Sequence, residues 1–400
     1  MPISLYLLAL AVFAMGTSEF MLGGLLPDIA TSLDVSVGAA GLLLSAFAVG
    51  MVVGAPLIAA LARRWPTRAS LLCFVLVFAA THVVGALTMS FEILLATRVI
   101  AALANAGFLA VALRAAAELV PFNQKGRALA VLLSGTTVAT IAGVPGGAML
   151  GTLFDWRATF WAIAMLCIPA AVGIVMGIPA APAAESTGDA PSLRTELAQL
   201  TTVRLALVMG LGGLVNAATF ATFAFLAPLV TDTAGMGIPW VSVALMLFGV
   251  GSFLGITVAG RLSDHRPGLT VAAGGPLLFL GWVGLAIFAD RPVGLLVLVF
   301  VQGALSFAVG STLIARVLYE AASAPTMGGA YATAALNVGA AGGPAVAAAA
   351  LDAHVGYTGP VWVSSILVAL ALVVALPLLR VIAPRTLGSP SECLGSEAAG

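Results

Sequence analysis

The chain has 400 residues, of which 61% are hydrophobic and 8% are charged, and its formal net charge is zero. A soluble globular protein carries about 25% charged side chains, so this composition excludes a soluble fold and indicates a protein of the lipid bilayer. The scattered bases exclude a nucleic-acid-binding protein. Cys73, Cys167 and Cys393 lie far apart, which argues against a disulfide framework or a zinc site. We expect no metal ion and no cofactor.

Breaks at charges, prolines and turn residues divide the chain into twelve apolar segments, and about 20 such residues cross a bilayer. We therefore predict an all-α polytopic membrane protein with twelve transmembrane helices. The first segment lacks a basic start and a cleavage site, so we interpret it as a retained helix and not as a signal peptide. The predicted spans are 4–26, 38–61, 70–90, 93–115, 128–150, 159–179, 205–230, 240–260, 269–289, 293–315, 327–350 and 360–382.

The positions of the bases predict the orientation, because Lys and Arg accumulate in cytoplasmic loops. With both termini in the cytoplasm, most bases lie in or beside cytoplasmic segments, and periplasmic loops hold only Arg157 and Arg291. We predict a multi-pass protein of the plasma membrane with cytoplasmic N- and C-termini. We expect it to be a monomer.

Residues 180–204 are rich in Pro, Ser and charge, and they lie near the middle of the chain. We interpret them as a cytoplasmic linker between two six-helix halves, 1–179 and 205–382, and predict a disordered cytoplasmic tail over 383–400. An internal repeat supports this division: the segments ending at Pro66 and around Pro145 return about half a chain later, ending at Pro267 and around Pro344. Parallel six-span repeats place a binding site between the halves near the bilayer midplane.

Glu19 is the only acid well inside any predicted span. An ionisable side chain there costs about 2.5–3.5 kcal/mol, so it is a functional candidate by default. Burial disfavours the charged carboxylate, and we predict that Glu19 takes up and releases a proton. Gly16 and Gly23 share its helix face and leave room for another helix or for a ligand. The alternative is a Glu19 that is hydrogen-bonded to a neighbouring helix and only fixes packing.

Arg98 lies in the fourth predicted span, and Asn105 follows on nearly the same helix face. A small, polar face of this kind suits the wall of a water-filled cavity. As an alternative, Arg98 snorkels to the periplasmic interface. Arg114 and Glu118, near the other end of the span, have the i,i+4 spacing of a helical ion pair.

Other polar residues stand alone in predicted spans. For His82 and Gln302 we favour hydrogen bonds that join neighbouring helices. For Asn216 and Asn337 this alternative and a place in the cavity wall both stay open. With Asn105 they are our candidate cavity residues.

The fifth predicted span carries small residues at every fourth position: Gly135, Ala139, Gly143, Gly147 and Gly151. Such a stripe lets another helix pack with its backbone close by, and a sliding or hinge role is compatible with it. We predict Gly251 and Gly255 of the eighth span as a partner surface of the same kind.

Together these motifs resemble the drug:proton antiporter branch of the major facilitator superfamily, twelve-helix type, over nearly the whole chain. Gly16-Thr-Ser-Glu-Phe, followed by Leu25-Leu-Pro-Asp-Ile-Ala, is similar to bacterial sugar and drug efflux proteins. Arg98 stands where the family has its buried helix-4 arginine, which implies a role in proton coupling. Gly143, Pro145, Gly146 and Gly147, followed by Asp155-Trp-Arg, resemble the antiporter motif of helix 5.

Two blocks, residues 101–112 and 127–137, resemble actinobacterial chloramphenicol-resistance exporters more closely. The resemblance implies the major facilitator fold and no enzymatic activity. It further implies export of chloramphenicol and related small drugs in exchange for protons. The alternatives are an exporter of a sugar or an endogenous metabolite and, from another class, a ligand sensor without transport or a membrane-embedded enzyme. No nucleophile and base pair, metal cluster or phosphate loop is visible in the sequence.

The sequence also departs from the family pattern. The loop after the second span holds Arg63 and Pro66, where the family signature has Asp and Gly. The repeat retains Asp264, which we predict to form a charged cytoplasmic latch. The second half has no counterpart of Arg98 near residue 298. We therefore expect the coupling chemistry to lie in the first half.

Overall fold

A computed structural model of the chain describes residues 2–61, 65–121, 124–179, 193–263, 267–324, 327–353 and 356–375. Short helices are α2 (Leu26–Ser32), α9 (Leu193–Ala198) and α11 (Leu226–Pro228). The first six spans are α1 (Ile3–Phe20), α3 (Val37–Leu61), α4 (Thr67–Leu87), α5 (Phe91–Glu118), α6 with α7 (Lys125–Val138 and Val144–Phe154) and α8 (Trp156–Gly177). The last six spans are α10 (Val203–Ala224), α12 (Pro239–Ser263), α13 (Pro267–Phe288), α14 (Pro292–Glu320), α15 (Gly328–Asp352) and α16 (Gly359–Ala375).

Each of these helices coincides with one predicted span. Within the described ranges, 10 helices are long and apolar enough to cross a bilayer, and two shorter apolar helices, Ala272–Phe288 and Gly359–Ala375, bring the spans to twelve. Helices satisfy their own backbone hydrogen bonds, which hydrocarbon requires because it offers no water. Large apolar side chains cover the outside, such as Met176 and Phe154. The predicted all-α polytopic fold is confirmed.

The spans form two bundles of six helices. In the first bundle, α1 packs on α6 and α8, and α3 and α4 pack on α5. In the second bundle, α10 packs on α15 and α16, and α12 and α13 pack on α14. Among the described residues, most contacts between the bundles come from two helix pairs: α3 with α15, and α7 with α12. The second span of each half thus meets the fifth span of the other, as an internal repeat with a two-fold relation requires.

The fifth span is interrupted by a π-helical turn, Ala139–Gly143, between α6 and α7. Pro145 follows at the start of α7. A proline has no N–H to donate, and its ring clashes with the carbonyl one turn earlier, so the backbone widens before it. The turn brings the Thr140 carbonyl against α12, where a Cβ on Gly249 would overlap it. The two halves therefore meet backbone to backbone at this point.

The small-residue stripe of the fifth span faces α1. A Cβ on Gly135 would overlap the Ala9 carbonyl oxygen, one on Gly143 would overlap the Thr17 hydroxyl, and one on Gly151 would overlap the Leu25 side chain. The close helix packing that we predicted is present. Its partner was not recognised from the sequence.

Gly251 and Gly255 of α12 face α14, where a Cβ on either would overlap the carbonyl oxygen of Phe300 or of Ala304. The predicted pairing of these glycines with the stripe of the fifth span is therefore wrong. Four-residue spacing shows that a helix has a small face, but it does not show which neighbour packs on that face.

The end of the predicted linker packs on the second half. The buried Glu196 of α9 accepts a hydrogen bond from the Met327 N–H at 2.8 Å, and the Tyr331 hydroxyl donates to the Glu196 carbonyl at 2.8 Å. Residues 180–192, Arg63, Asp264 and the tail 383–400 lie outside the described residues. The division into 1–179, 180–204 and 205–382 stays a prediction, as does the latch at Asp264.

Two glycines of the antiporter motif, one buried and one exposed, offer a matched test of the packing between α1 and the fifth span. Gly143→Ala forces a Cβ into the Thr17 hydroxyl, whereas a Cβ on the exposed Gly146 meets nothing within 4 Å. Overpacking of this kind costs about 1–3 kcal/mol. We expect Gly143→Ala to lower the thermal unfolding midpoint of the detergent-purified protein and Gly146→Ala to leave it near that of the parent. Equal midpoints for the two variants would contradict the packing of α1 on this face.

Candidate functional site

Arg98 of α5 is buried among the helices of the first half, with only 1% of its surface exposed. Its Nη1 donates to Ser18 Oγ at 2.8 Å, and its Nη2 donates to the Ser18 carbonyl oxygen at 2.7 Å. The guanidinium carbon lies 4.6 Å from the ring centre of Phe47 in α3. Arg98 does not snorkel to the interface: its charge is solvated by α1 and by an aromatic face.

His82 of α4 extends this network. Its Nδ1 lies 2.7 Å from the Phe78 carbonyl oxygen, which can only accept a hydrogen bond, so Nδ1 carries a proton. In the neutral ring Nε2 is then an acceptor, and it lies 2.6 Å from Ser18 Oγ. The donors therefore run in one direction, from Arg98 to Ser18, from Ser18 to His82, and from His82 to Phe78. His82 joins α4 to α1, as we favoured from the sequence. Its contact with Ser18, the residue that also binds Arg98, was not predicted.

Glu19 follows Ser18 directly but has a different environment. Ser18 is completely buried, whereas the Glu19 side chain is partly exposed. Arg98 attracts the Glu19 carboxylate electrostatically, and among the described residues no hydrogen bond or ion pair fixes that carboxylate. The arrangement keeps a free carboxyl group beside a permanent positive charge.

Neighbouring helices fill the space beside Gly16 and Gly23. A Cβ on Gly16 would lie 3.1 Å from the Ala139 Cβ, and one on Gly23 would lie 2.9 Å from the Phe223 carbonyl oxygen of α10. Of the two alternatives for this small face, the structure shows close helix packing. Through Gly23, the segment that follows α1 contacts the second half directly.

Phe20, the residue after Glu19, points into a pocket between the two halves, which we call the aromatic pocket. Its threonine hydroxyls already donate to helix carbonyls, at 2.9 Å each, so the wall offers almost no free polar group. The lining residues are Phe20, Thr140, Val144, Thr219, Phe220, Phe223, Leu245, Phe248 and Phe307.

The rings of the aromatic pocket contact one another across the interface. Phe20 of the first half lies 5.7 Å from Phe220 and 6.3 Å from Phe223, measured between ring centroids. Phe223 lies 5.1 Å from Phe248, which lies 6.0 Å from Phe307. These separations are those of favourable aromatic pairs, so aromatic contacts join the two halves at this point. The sequence analysis missed this cluster, because single phenylalanines in apolar spans carry no distinguishing pattern.

None of the candidate cavity asparagines lines the aromatic pocket. The amide of Asn105 points to Met51 Sδ, with Nδ2 at 3.6 Å. Asn216 donates to the Leu336 carbonyl of α15 at 2.7 Å and so joins two helices, while Asn337 donates to the Thr333 carbonyl of its own helix at 3.0 Å. The structure gives each of them a packing contact within its own half.

The antiporter motif has two faces. Gly143, Pro145 and Gly147 are buried, and Gly146 is exposed. Gly147 also contacts α8, because the Thr159 hydroxyl donates to its carbonyl at 2.8 Å.

Gln302 joins α14 to α13 through its Nε2, which donates to the Leu278 carbonyl at 3.1 Å. Arg114 and Glu118 form the expected pair, with Nε and Oε1 3.7 Å apart.

The end of the bundle that carries α2, which we call the α2 face, holds close contacts between the halves. A Cβ on Gly38 would lie 3.1 Å from Asp352 Oδ1, and one on Gly41 would lie 2.6 Å from the Phe225 ring. Farther from this end of the bundle, the Ser45 hydroxyl of α3 donates to the Ala341 carbonyl of α15 at 2.7 Å. These contacts hold the two halves together at the α2 face.

Comparison with known proteins gives consistent results. Residues 8–335 match the family model of the Major Facilitator Superfamily. A Streptomyces lividans protein named chloramphenicol resistance protein is 67% identical over 392 residues, which cover 98% of this chain and 99% of that protein. The inner membrane transport protein YdhP of Escherichia coli strain K12 is 32% identical over 379 residues, which cover 93% of this chain and 95% of that protein.

Solved structures share the fold at low sequence identity. A mutant of the nucleoside transporter NupG superposes with a TM-score of 0.74 at 15% identity, over 95% of this chain and 99% of that one. A bacterial homolog of the human lysosomal transporter Spinster, in an inward-facing and unoccupied conformation, superposes with a TM-score of 0.70 at 16% identity, over 95% of this chain and 94% of that one. At these identities the likeness shows the fold alone.

The different environments of two adjacent side chains can be tested by thiol labelling. In a parent protein whose cysteines are replaced by serine, Glu19→Cys places a thiol where the native side chain is partly exposed, and Ser18→Cys places one where the native side chain is fully buried. We expect a small water-soluble thiol reagent to modify the first variant much faster than the second, as measured by mass spectrometry of the membrane protein. Equal modification rates, or protection of both thiols, would contradict the geometry.

Proposed function

Because the chain belongs to the major facilitator superfamily, we propose that it exports chloramphenicol and related uncharged, amphipathic drugs in exchange for protons. The observation that carries the proposal is the position of the aromatic pocket, which lies between the halves and begins one residue after Glu19. The name of the Streptomyces lividans relative supports the choice of drug.

The chemistry of the aromatic pocket supports an aromatic, uncharged substrate. Ligand sites are lined mainly by apolar and aromatic side chains, with a few polar groups that fix orientation. Phe20, Phe223 and Phe248 offer ring faces to a flat ring such as the nitrophenyl group of chloramphenicol. A sugar needs several hydrogen-bonding partners, which this wall does not supply, so the pocket disfavours a sugar as the exported molecule.

The coupling step uses the position of Glu19. In the ionised state its carboxylate is attracted by Arg98 across the packed first half, and protonation removes this attraction. This loss of attraction acts on α1, in which Phe20, the residue after Glu19, forms part of the aromatic pocket. We infer that proton uptake at Glu19 and occupancy of the aromatic pocket oppose each other, so that a proton entering from the outside favours release of the drug.

The driving force is sufficient for useful export. An uncharged drug exchanged for one proton moves one positive charge inward, worth about 2.3 kcal/mol per 100 mV of membrane potential. Since each 1.4 kcal/mol corresponds to a factor of ten, that potential alone supports a drug gradient of roughly 50-fold. ATP is not needed to reach such a gradient.

The contacts between the halves support alternating access. With both termini in the cytoplasm, the α2 face, where the halves are in contact, is periplasmic, and the aromatic pocket lies on its cytoplasmic side. In the proposed cycle the pairs α3 with α15 and α7 with α12 separate at this face while the opposite face closes. Gly249 lets the backbones of the two halves approach at one of these contacts, and Gly41 leaves room for the Phe225 ring at the α2 face.

Drug accumulation in cells that express the chain tests the function. We expect expressing cells to hold less chloramphenicol than empty cells, and a protonophore to abolish the difference. Glu19→Gln should remove proton-driven export, because the amide cannot take up a proton. The matched control is Glu118→Gln at a surface ion pair with Arg114, which should export normally. Equal accumulation in expressing and empty cells would refute chloramphenicol as substrate, and full active export by Glu19→Gln would refute its coupling role.

The aromatic pocket can be tested by ring deletion. Phe248→Ala removes a ring that contacts Phe223 and Phe307 inside the pocket, whereas Phe253 of the same helix is exposed on the outside and makes a matched control. An aromatic contact contributes about 0.5–1.5 kcal/mol beyond its buried area. We therefore expect Phe248→Ala to weaken chloramphenicol binding by roughly two- to tenfold in a binding assay on the purified protein. Unchanged affinity, or an equal loss in Phe253→Ala, would place the drug elsewhere.

A further inference from the structure

We propose that His82 and Ser18 act as a positioning pair for Arg98. The pair keeps the Arg98 guanidinium hydrogen-bonded to Ser18 and prevents it from forming an ion pair with Glu19. The Glu19 carboxyl therefore stays free to exchange its proton. The inference rests on the proposed function. Neither residue touches the aromatic pocket; both act through Arg98.

Arg98 relies on Ser18 for its hydrogen bonds. Both terminal nitrogens of the guanidinium donate to Ser18, at 2.8 Å to the hydroxyl and at 2.7 Å to the carbonyl oxygen. The Nε atom has no partner among the described residues. A buried guanidinium needs acceptors because it keeps its charge. Ser18 supplies two of them, so the position of Arg98 depends on this one residue.

His82 sets the direction of the Ser18 hydroxyl. A helical serine tends to donate to the carbonyl of its own preceding turn, and its proton can also rotate toward a neighbour. With His82 Nε2 as an acceptor at 2.6 Å, the hydroxyl proton points to the imidazole and the oxygen lone pairs face Arg98. Without that acceptor, nothing holds the hydroxyl in the orientation that receives a cation.

His82 is itself held in place by its neighbours. Its Nδ1 donates to the Phe78 carbonyl at 2.7 Å, and its ring centroid lies 4.4 Å from that of Phe78 and 5.6 Å from that of Phe160. Phe160 reaches this position because Gly85 has no side chain, since a Cβ there would lie 2.9 Å from the ring. The imidazole can therefore neither turn nor withdraw, and it fixes the orientation of the hydroxyl.

The consequence concerns Glu19. An arginine and a carboxylate in a medium of low polarity attract strongly, yet the two form no ion pair among the described contacts. The Ser18 anchor offers the guanidinium an alternative partner on the preceding residue. Without the anchor, we expect Arg98 to pair with Glu19 and to hold it in the ionised state, which blocks the proton exchange that drives export.

The experiment uses the purified full-length chain in liposomes with an acidic interior, into which coupled exchange drives chloramphenicol. Accumulation driven by this pH gradient is compared with exchange of labelled for unlabelled chloramphenicol without any gradient. Four single variants and one double variant are used. The single variants are His82→Gln, whose amide oxygen can accept from Ser18; His82→Phe, which fills the space without an acceptor; Ser18→Ala; and Arg98→Ala.

We expect His82→Phe and Ser18→Ala to lose gradient-driven accumulation by about tenfold or more, the size expected for a hydrogen bond to a charged group, while gradient-free exchange continues. His82→Gln should recover most of the accumulation. The double variant Ser18→Ala with His82→Phe should be no worse than either single variant, because the two residues act as one unit. A role in folding alone would reduce both kinds of transport in parallel.

The controls separate this inference from the proposed function. If the parent protein does not accumulate chloramphenicol in response to the gradient, the proposed function fails. A second outcome would overturn the positioning pair but leave the proposed function standing. In that outcome the parent accumulates the drug and Arg98→Ala does not, while His82→Phe and Ser18→Ala both keep full accumulation. If His82→Phe does not fold, Ser18→Ala decides alone, because it leaves the backbone acceptor and nearly the same volume in place.

Discussion

The hydrocarbon core of a bilayer offers no water to a buried charge, so a guanidinium placed there must obtain its solvation from protein acceptors. Arg98 obtains it from the side chain and the backbone of Ser18 and from the face of Phe47. This requirement draws α1 close to α5. On its other side, α1 then meets the fifth span through small residues, Gly16 against Ala139 and Thr17 against Gly143. The polar contact and the small-residue stripe thus hold consecutive residues of α1 against two different helices.

Three consecutive residues of α1 connect the parts of the site. Successive residues of an α-helix point about 100° apart, so Ser18, Glu19 and Phe20 face three directions. Ser18 faces the buried network, the Glu19 side chain is partly exposed, and Phe20 lines the aromatic pocket between the halves. In the proposed mechanism a proton gained at Glu19 and a drug bound against Phe20 therefore act on the same turn of one helix, and no long chain of contacts is needed to couple them.

The sequence predicted those features that a single segment determines by itself. The spans followed from local hydropathy, and Glu19 and Arg98 stood out because charge is rare in an apolar helix. Features that need two segments were not predictable in the same way. Gly251 and Gly255 form a small face, but only the tertiary structure places it against α14. The five phenylalanines of the aromatic pocket come from four helices, and none differs in its local sequence from a residue that faces lipid.

The two halves repeat one architecture but differ in chemistry. The first half supplies Glu19 and Arg98, and the sequence has no counterpart of Arg98 near residue 298, whereas the second half supplies Phe220, Phe223, Phe248 and Phe307 to the aromatic pocket. A buried charge is costly in hydrocarbon, so a second coupling site would destabilise the bundle without increasing the work done by one proton. In the proposed cycle, protonation acts on one half and most of the drug surface lies on the other. The coupling must therefore cross the interface, and Phe20 is the ring that the first half contributes there.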